Sequence, residues 1–225
     1  MFYDMPKLEC PFEKDENYKV IPKIKEEYKW IFTDEAIAVE KLDGTNVSVQ
    51  VLNRRPSAIM NRLNPIDIWQ KGNARFLSGV VNSIEKSYFI PTLLIDNIYF
   101  GELIGEKIQG NPYQLNGTLW LPFDNIMEKY RYKFWNGFVK ENTGKTDEEI
   151  FNSVSELFKG LWSLCKRSRG IIFEQPIADT TFTGSAAEGI VFYRKGSETD
   201  YIKCCKLRRD MFDWFRGKQH KGKIE

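Results

Sequence analysis

Residues 39–49 read V-E-K-L-D-G-T-N-V-S-V, and the reading of this stretch governs the reading of the whole 225-residue chain. Ile37 and Val39 on one side, and Val47, Val49 and Val51 on the other, recur at period two, which marks two strands that each bury one face. Asp43-Gly44 between them is a turn signal, so Lys41 falls at the end of the first strand beside a tight turn. A lysine fixed there is displayed as a nucleophile would be. Lys41-Leu42-Asp43-Gly44 also fits a solvated lysine next to a hairpin turn, and the choice between the two rests on what lies downstream.

Composition narrows the chemistry. Hydrophobic residues make up 42% and aromatic residues 14%, enough for an ordinary core in one domain over residues 1–225. No apolar run approaches the roughly 18 residues that a membrane helix needs, and Met1–Cys10 carries neither a basic nor an apolar leader segment. A cytoplasmic compartment is expected. Cys10, Cys165, Cys204 and Cys205 have no C-x-x-C spacing and read as reduced thiols. The single histidine, His220, makes multi-histidine zinc sites and Ser-His-Asp or Cys-His catalysis improbable. Chemistry here must run on lysine and carboxylates, with magnesium as an optional addition.

The net charge of +2 does not by itself point to nucleic acid, but its distribution is uneven. Between Lys203 and Lys223 eight Lys or Arg stand against Asp210 and Asp213, interleaved with Phe212, Trp214 and Phe215. That pattern suits phosphate contact, and it equally suits a solvated C-terminal helix with an apolar stripe.

Along the chain, residues from about Asn64 to Lys86 are consistent with helix, Tyr88–Leu103 with β structure punctuated by Pro91, and Asn116–Ile126 with a strand broken by Pro122. Thr146 with Glu149 makes a capping box for a helix whose face carries Ile150, Val154, Leu157, Phe158, Leu161 and Leu164. Gly144-Lys145-Thr146 is a decoy for a phosphate-binding loop, since the preceding glycine, Gly137, is misplaced, and it reads as the loop before that helix. Ile171–Phe173, Ile190–Tyr193 and Tyr201–Cys205 read as strands. The fold class is therefore α+β.

Glu40-Lys41-Leu42-Asp43-Gly44-Thr45-Asn46 resembles the K-x-D-G motif of covalent nucleotidyltransferases, the polynucleotide ligases and capping enzymes, and the Thr-Asn pair resembles phage-type nick-sealing RNA ligases. An arginine in place of Asn46 would look like a DNA ligase. Four further matches follow in the same order. Arg62 in N-R-L-N-P-I matches an arginine near the substrate phosphates. Phe100-Gly101-Glu102-Leu103, continuing to Gln109-Gly110-Asn111, resembles the F-x-G-E motif. Glu188-Gly189-Ile190-Val191 resembles the E-G-(I/V)-V motif. Lys206-Leu207-Arg208 resembles the closing K-x-K, with arginine where lysine is usual and Lys203 as an alternative in a shifted register.

The resemblance implies an antiparallel nucleotidyltransferase fold, the adenylation domain of a ligase, around a nucleotide pocket. It implies ATP as substrate, with Lys41 catalytic and Glu40, Lys41, Asn46, Arg62, Glu102, Glu188, Lys206 and Arg208 binding the nucleotide. Trp120, or else Phe123, would stack on adenine, and Glu102 and Glu188 would hold or orient Mg2+. An unperturbed lysine, with a pKa of about 10.4, is a poor nucleophile; cations from Lys206, Arg208, Arg62 and the metal would favour the free amine. The product would be lysyl-AMP, passed to a 5′-phosphate on RNA and displaced by a 3′-hydroxyl. Such ligases usually carry a further C-terminal domain, whereas Asp213–Glu225 alone follow the last motif, so the expectation is a minimal enzyme that seals already aligned ends, a protein partner supplying that function, or a chain limited to self-adenylylation, and the sequence does not choose among them.

Overall fold

The computed structural model describes residues 5–113, 115–129, 131–162, 188–197, 200 and 203–215. Mixed helices and antiparallel sheets make it α+β, as the sequence implied. The described residues fall into two compact units, one built on Leu42–Lys129 with the residues just before Leu8, the other on Leu8–Lys41 and the segments after Lys129.

The first unit is a five-stranded antiparallel sheet. Its strands are β4 (Thr45–Leu52), β5 (Arg55–Asn61), β6 (Asn64–Pro65), β7 (Asn97–Gly105) and β8 (Thr118–Pro122), in the order β6-β5-β4-β7-β8. The alternation of Val47, Val49 and Val51 puts all three on one face, where they pack with Ile59, Leu103 and Trp120. Helix α1 (Ala74–Glu85) closes that face with Phe76 and Val80. Pro122 ends β8, and α2 (Phe123–Lys129) follows at once.

The second unit holds a two-stranded sheet, β1 (Phe12–Lys14) with β2 (Val20–Ile24), and a three-stranded sheet. In the latter β3 (Ala36–Lys41), β9 (Gly189–Arg194) and β10 (Cys205–Arg208) pair antiparallel in the order β10-β9-β3. Helices α3 (Phe134–Asn142) and α4 (Asp147–Trp162) complete it. Its core is aromatic: Trp135 lies 4.8 Å from Phe192, Phe12 meets Phe151 edge-on at 5.4 Å, and Phe158 meets Phe212 at 5.2 Å. Burial pushes the thiols of Cys10 and Cys204 up, the latter to about 12, and Cys205 well above the ordinary value; all three are free and buried. Cys165 lies outside the described residues, as do Ile171–Phe173 and His220.

Several expectations from the sequence shift here. The helix expected over Asn64–Lys86 occupies only Ala74–Glu85, because Asn64-Pro65 pairs with β5 and Asp67 turns the chain through its carboxylate. Helix α3 gives no signal in the sequence: no side chain caps its start. Among the described residues the last strand is Cys205–Arg208; of the strand expected over Tyr201–Cys205, Tyr201 and Ile202 lie outside the described residues. After it, Arg209–Met211 forms a short 3-10 turn, and the remainder of the segment read as a C-terminal helix, residues 216–225, lies outside the described residues. Phe212 is buried, and the Trp214 indole N–H donates to the Ser155 hydroxyl at 3.1 Å. Among the described residues no helix is long and apolar enough to cross a membrane.

Helix α4 starts with the capping box that the sequence shows. The Glu149 N–H donates to the Thr146 hydroxyl at 3.3 Å, and the Thr146 N–H donates back to the Glu149 carboxylate at 2.8 Å. Those bonds, the backbone one first, hold the Glu149 carboxyl below its ordinary value. A lowered carboxyl stabilises the fold above its unfolded value and loses that contribution as pH falls through the lowered one. Glu149→Ala is therefore expected to be less stable than the parent chain at about pH 7, with the gap narrowing toward about pH 3 in urea unfolding curves.

Candidate active site

The three-stranded sheet sets four of the residues singled out in the sequence. Lys41 pairs with Gly189, and Gly189 pairs with Arg208, so the three form one row across β3, β9 and β10. Val39, Val191 and Lys206 form the next row on that face. Alternation along β10 puts Lys206 and Arg208 together on the Lys41 face and sends Leu207 to the other, where it is fully buried. The K-x-K reading at Lys206 and Arg208 thus matches the strand register. Lys203 lies before the strand and pairs with Asp200 at 3.0 Å, so the shifted register is not the one that the fold adopts.

Glu188 sits immediately before β9 and is held by its backbone on both sides. Its N–H donates to the Lys41 carbonyl at 2.8 Å, and its own carbonyl accepts from the Arg209 N–H at 2.9 Å. With the main chain fixed so, the Glu188 carboxylate reaches the Lys41 ammonium and forms an ion pair with it, the two side chains being 12% and 19% exposed. An ion pair favours the charged form of both partners. The sequence did not reveal what braces the neighbouring cation. Arg208 pairs through Nε with the Asp210 carboxylate at 3.1 Å, and Lys19, from the β1–β2 turn, donates to the Asp210 and Phe212 carbonyls at 2.9 and 3.2 Å. Asp210 follows Arg208 by two residues, a spacing with no motif of its own.

A second group of the singled-out residues belongs to the five-stranded sheet. Asn46 and Glu102 are direct cross-strand partners on β4 and β7, on the face opposite Val47 and Leu103. The Asn46 amide oxygen is buried and has no hydrogen-bond partner among the described residues, while its nitrogen meets the Met5 sulfur at 3.5 Å. Such an orphaned acceptor suits a ligand donor. Gly44 has ordinary backbone angles among the described residues, and its need is for space: a Cβ would sit 2.4 Å from the Leu103 carbonyl oxygen. Tyr113, fully buried, accepts the Asp43 N–H at 2.6 Å and so fixes the turn. The Asp43-Gly44 turn is no hairpin, since β3 and β4 belong to different sheets. Arg62 is exposed at the β5–β6 tip with φ of 56°.

Two proposed contacts are corrected. Glu40 alternates with Lys41 and points to the opposite face of β3, in the row of Ile190 and Leu207, with 1% exposure. It is a core carboxylate and does not share the Lys41 face. Trp120 is fully buried, donates its indole N–H to the Val47 carbonyl at 2.9 Å and meets Phe89 edge-on at 4.9 Å. Its ring also fills the space above Gly101, where a Cβ would lie 2.6 Å from Nε1. A ring so enclosed has no face for adenine, and Phe123 is buried as well. No group of three or more His, Cys, Asp or Glu side chains among the described residues makes a cation cage.

No family model matches this chain, and no curated protein is significantly similar to it. Among solved structures, a mutant RNA ligase of Naegleria gruberi with ATP and Mn is 15% identical, over 77% of this chain and 49% of its own, at a TM-score of 0.41. An apo mutant of that ligase is 15% identical over 90% and 60%, at 0.43, and the ligase with PPi is 15% identical over 90% and 61%, at 0.42. The structures it resembles are RNA ligases. This chain spans about half to three-fifths of their length. Likeness at this identity and score assigns no residue a role.

The ion pair behind Arg208 gives a direct test. Asp210→Asn keeps the size of the side chain and removes its charge, and because the Arg208 partner is only half-buried the loss is expected to cost about 1–3 kcal/mol. Urea unfolding of the variant against the parent chain measures it.

Proposed function

We propose that this chain is an ATP-dependent RNA ligase of the covalent nucleotidyltransferase type, acting through a lysyl-AMP intermediate. One observation carries the reading: Lys41 stands at a strand end, ion-paired to Glu188, on the same sheet face as Lys206 and Arg208. A binding module has no need of an amine, a carboxylate and two cations in one register.

In this reading the Lys41 nitrogen attacks the α-phosphorus of ATP. An N–P bond forms, the bond to the bridging oxygen breaks, and pyrophosphate departs with the electron pair. Glu188, already bound to the ammonium, is an acceptor in place for the proton that must leave first. Lys206 and Arg208 present fixed positive charge to the phosphate oxygens, and the Asp210 brace keeps the guanidinium from swinging away. Asn46 and Glu102 offer an acceptor pair for sugar hydroxyls or base edges. Arg62 at its hairpin tip takes a phosphate.

The carboxylates fit magnesium in the way phosphate-bound magnesium is usually held, by one or two carboxylates, the substrate phosphates and water, without a protein cage. Glu188 and Glu102 are each proposed, within their own units, to hold or orient Mg2+, and metal bound at Glu188 would neutralise phosphate charge and weaken its hold on the Lys41 proton. The AMP would next pass to an RNA 5′-phosphate and be displaced by a 3′-hydroxyl, joining the strand. The Thr45-Asn46 pair supports RNA over DNA. A protein partner contributing further nucleic-acid contacts belongs to the same proposal, as does action in the cytoplasm as a single domain.

The test is incubation with α-labelled ATP or GTP and magnesium, followed by denaturing electrophoresis. Acid-labile label is expected from ATP alone, with none on Lys41→Ala, and a subsequent preference for nicked RNA over nicked DNA. Absence of label from either nucleotide, in folded protein not already charged with AMP, would overturn the reading.

A further inference from the structure

The segment between β6 and α1 presents one large aromatic ring that the core does not use. Trp69 is 90% exposed, while its neighbours Ile66 and Ile68 turn inward and pack against the core of the five-stranded sheet. The loop is braced from within. Asp67 accepts the Trp69 N–H on its carboxylate at 3.0 Å, and its carbonyl accepts from the Gln70 N–H at 3.1 Å and the Asn73 side chain at 3.0 Å. Asn73 also reaches the Gln70 side chain at 3.2 Å, and Arg75 donates to the Gly72 carbonyl at 2.8 Å. The ring is thus held out by a tied backbone anchored through two isoleucines. Leaving an indole in water forgoes the burial that a tryptophan ordinarily gains, so the fold itself does not account for it.

The charges near it in sequence are predominantly positive. From Arg62 to Arg75 the chain carries Arg62, Lys71 and Arg75 against a single carboxylate, Asp67, which is engaged by the loop's own N–H. Lys71, two residues from the ring, is exposed. A free aromatic face beside exposed cations is the arrangement that stacks a base and contacts its phosphate with little regard to sequence.

We propose that Trp69 is a stacking platform for an unpaired base of a polynucleotide, with Lys71 on the adjoining phosphate. The inference rests on the polynucleotide substrate proposed above, yet it concerns binding and not the Lys41 chemistry, so the two fail separately.

Fluorescence anisotropy with a labelled single-stranded RNA oligonucleotide, and with the same strand carrying abasic positions, tests it on the full chain. Trp69→Ala is expected to bind the intact strand about 5- to 150-fold more weakly than the parent chain, and Trp69→Phe within about threefold of it. On the abasic strand the difference between the parent and Trp69→Ala should vanish. Lysine labelling by ATP should be unchanged in Trp69→Ala, which also shows that the variant is folded; loss of labelling in the parent chain would count against the ligase reading alone. Failure of the parent chain to bind the strand, equal binding by Trp69→Ala, a Trp69→Phe loss as large as that of Trp69→Ala, or a difference that persists on the abasic strand would each overturn the platform, the second of these pointing to a protein partner instead.

Discussion

The close pairing of β9 with β10 at Gly189 is the constraint on which the proposed catalytic cluster depends. A Cβ there would lie 2.0 Å from the Leu207 carbonyl oxygen and 2.7 Å from the Arg208 Cα, both backbone atoms that cannot step aside without parting the strands. Because the glycine lets them close, Lys41, Gly189 and Arg208 fall in one row, and the Glu188 main chain is bonded on one side to Lys41 and on the other to Arg209. The carboxylate is then delivered to the amine by backbone geometry. Little is left to side-chain flexibility, which is what a preorganised site requires.

Charge in that sheet is arranged in opposed pairs. Glu188 holds Lys41, Asp210 holds Arg208, and Lys19 secures the turn that carries Asp210 through two carbonyls. Each pair fixes a cation in place while partly neutralising it. Phosphate oxygens arriving there would compete for both cations, and a metal would compete for the carboxylate. With Lys206 beside these pairs, the cations of the cluster outnumber its carboxylates, and anionic substrate would redistribute their partners.

The five-stranded sheet uses small residues in the same manner. Gly44 approaches the Leu103 carbonyl, and Gly101 leaves room for the Trp120 indole, whose N–H is satisfied by the Val47 carbonyl. The glycine before Glu102 therefore serves packing between β7 and β8. With the inward face sealed by Trp120, Phe89 and α1, Asn46 and Glu102 are confined to the other face as neighbours.

Local signals in the sequence determined what local physics decides. Period-two valines placed β4, Thr146 with Glu149 placed the start of α4, Pro122 placed the end of β8, and alternation put Lys206 and Arg208 on one face. Charge composition and the lone histidine restricted the chemistry to lysine and carboxylates. Pairing across the chain was not legible. That Lys41 meets Glu188, 147 residues away, that Lys19 secures Asp210, and that Glu40 and Trp120 turn into cores are matters of strand register and sheet order. A one-residue slip reverses every face, and register is settled only when the whole sheet closes around its glycines and buried rings.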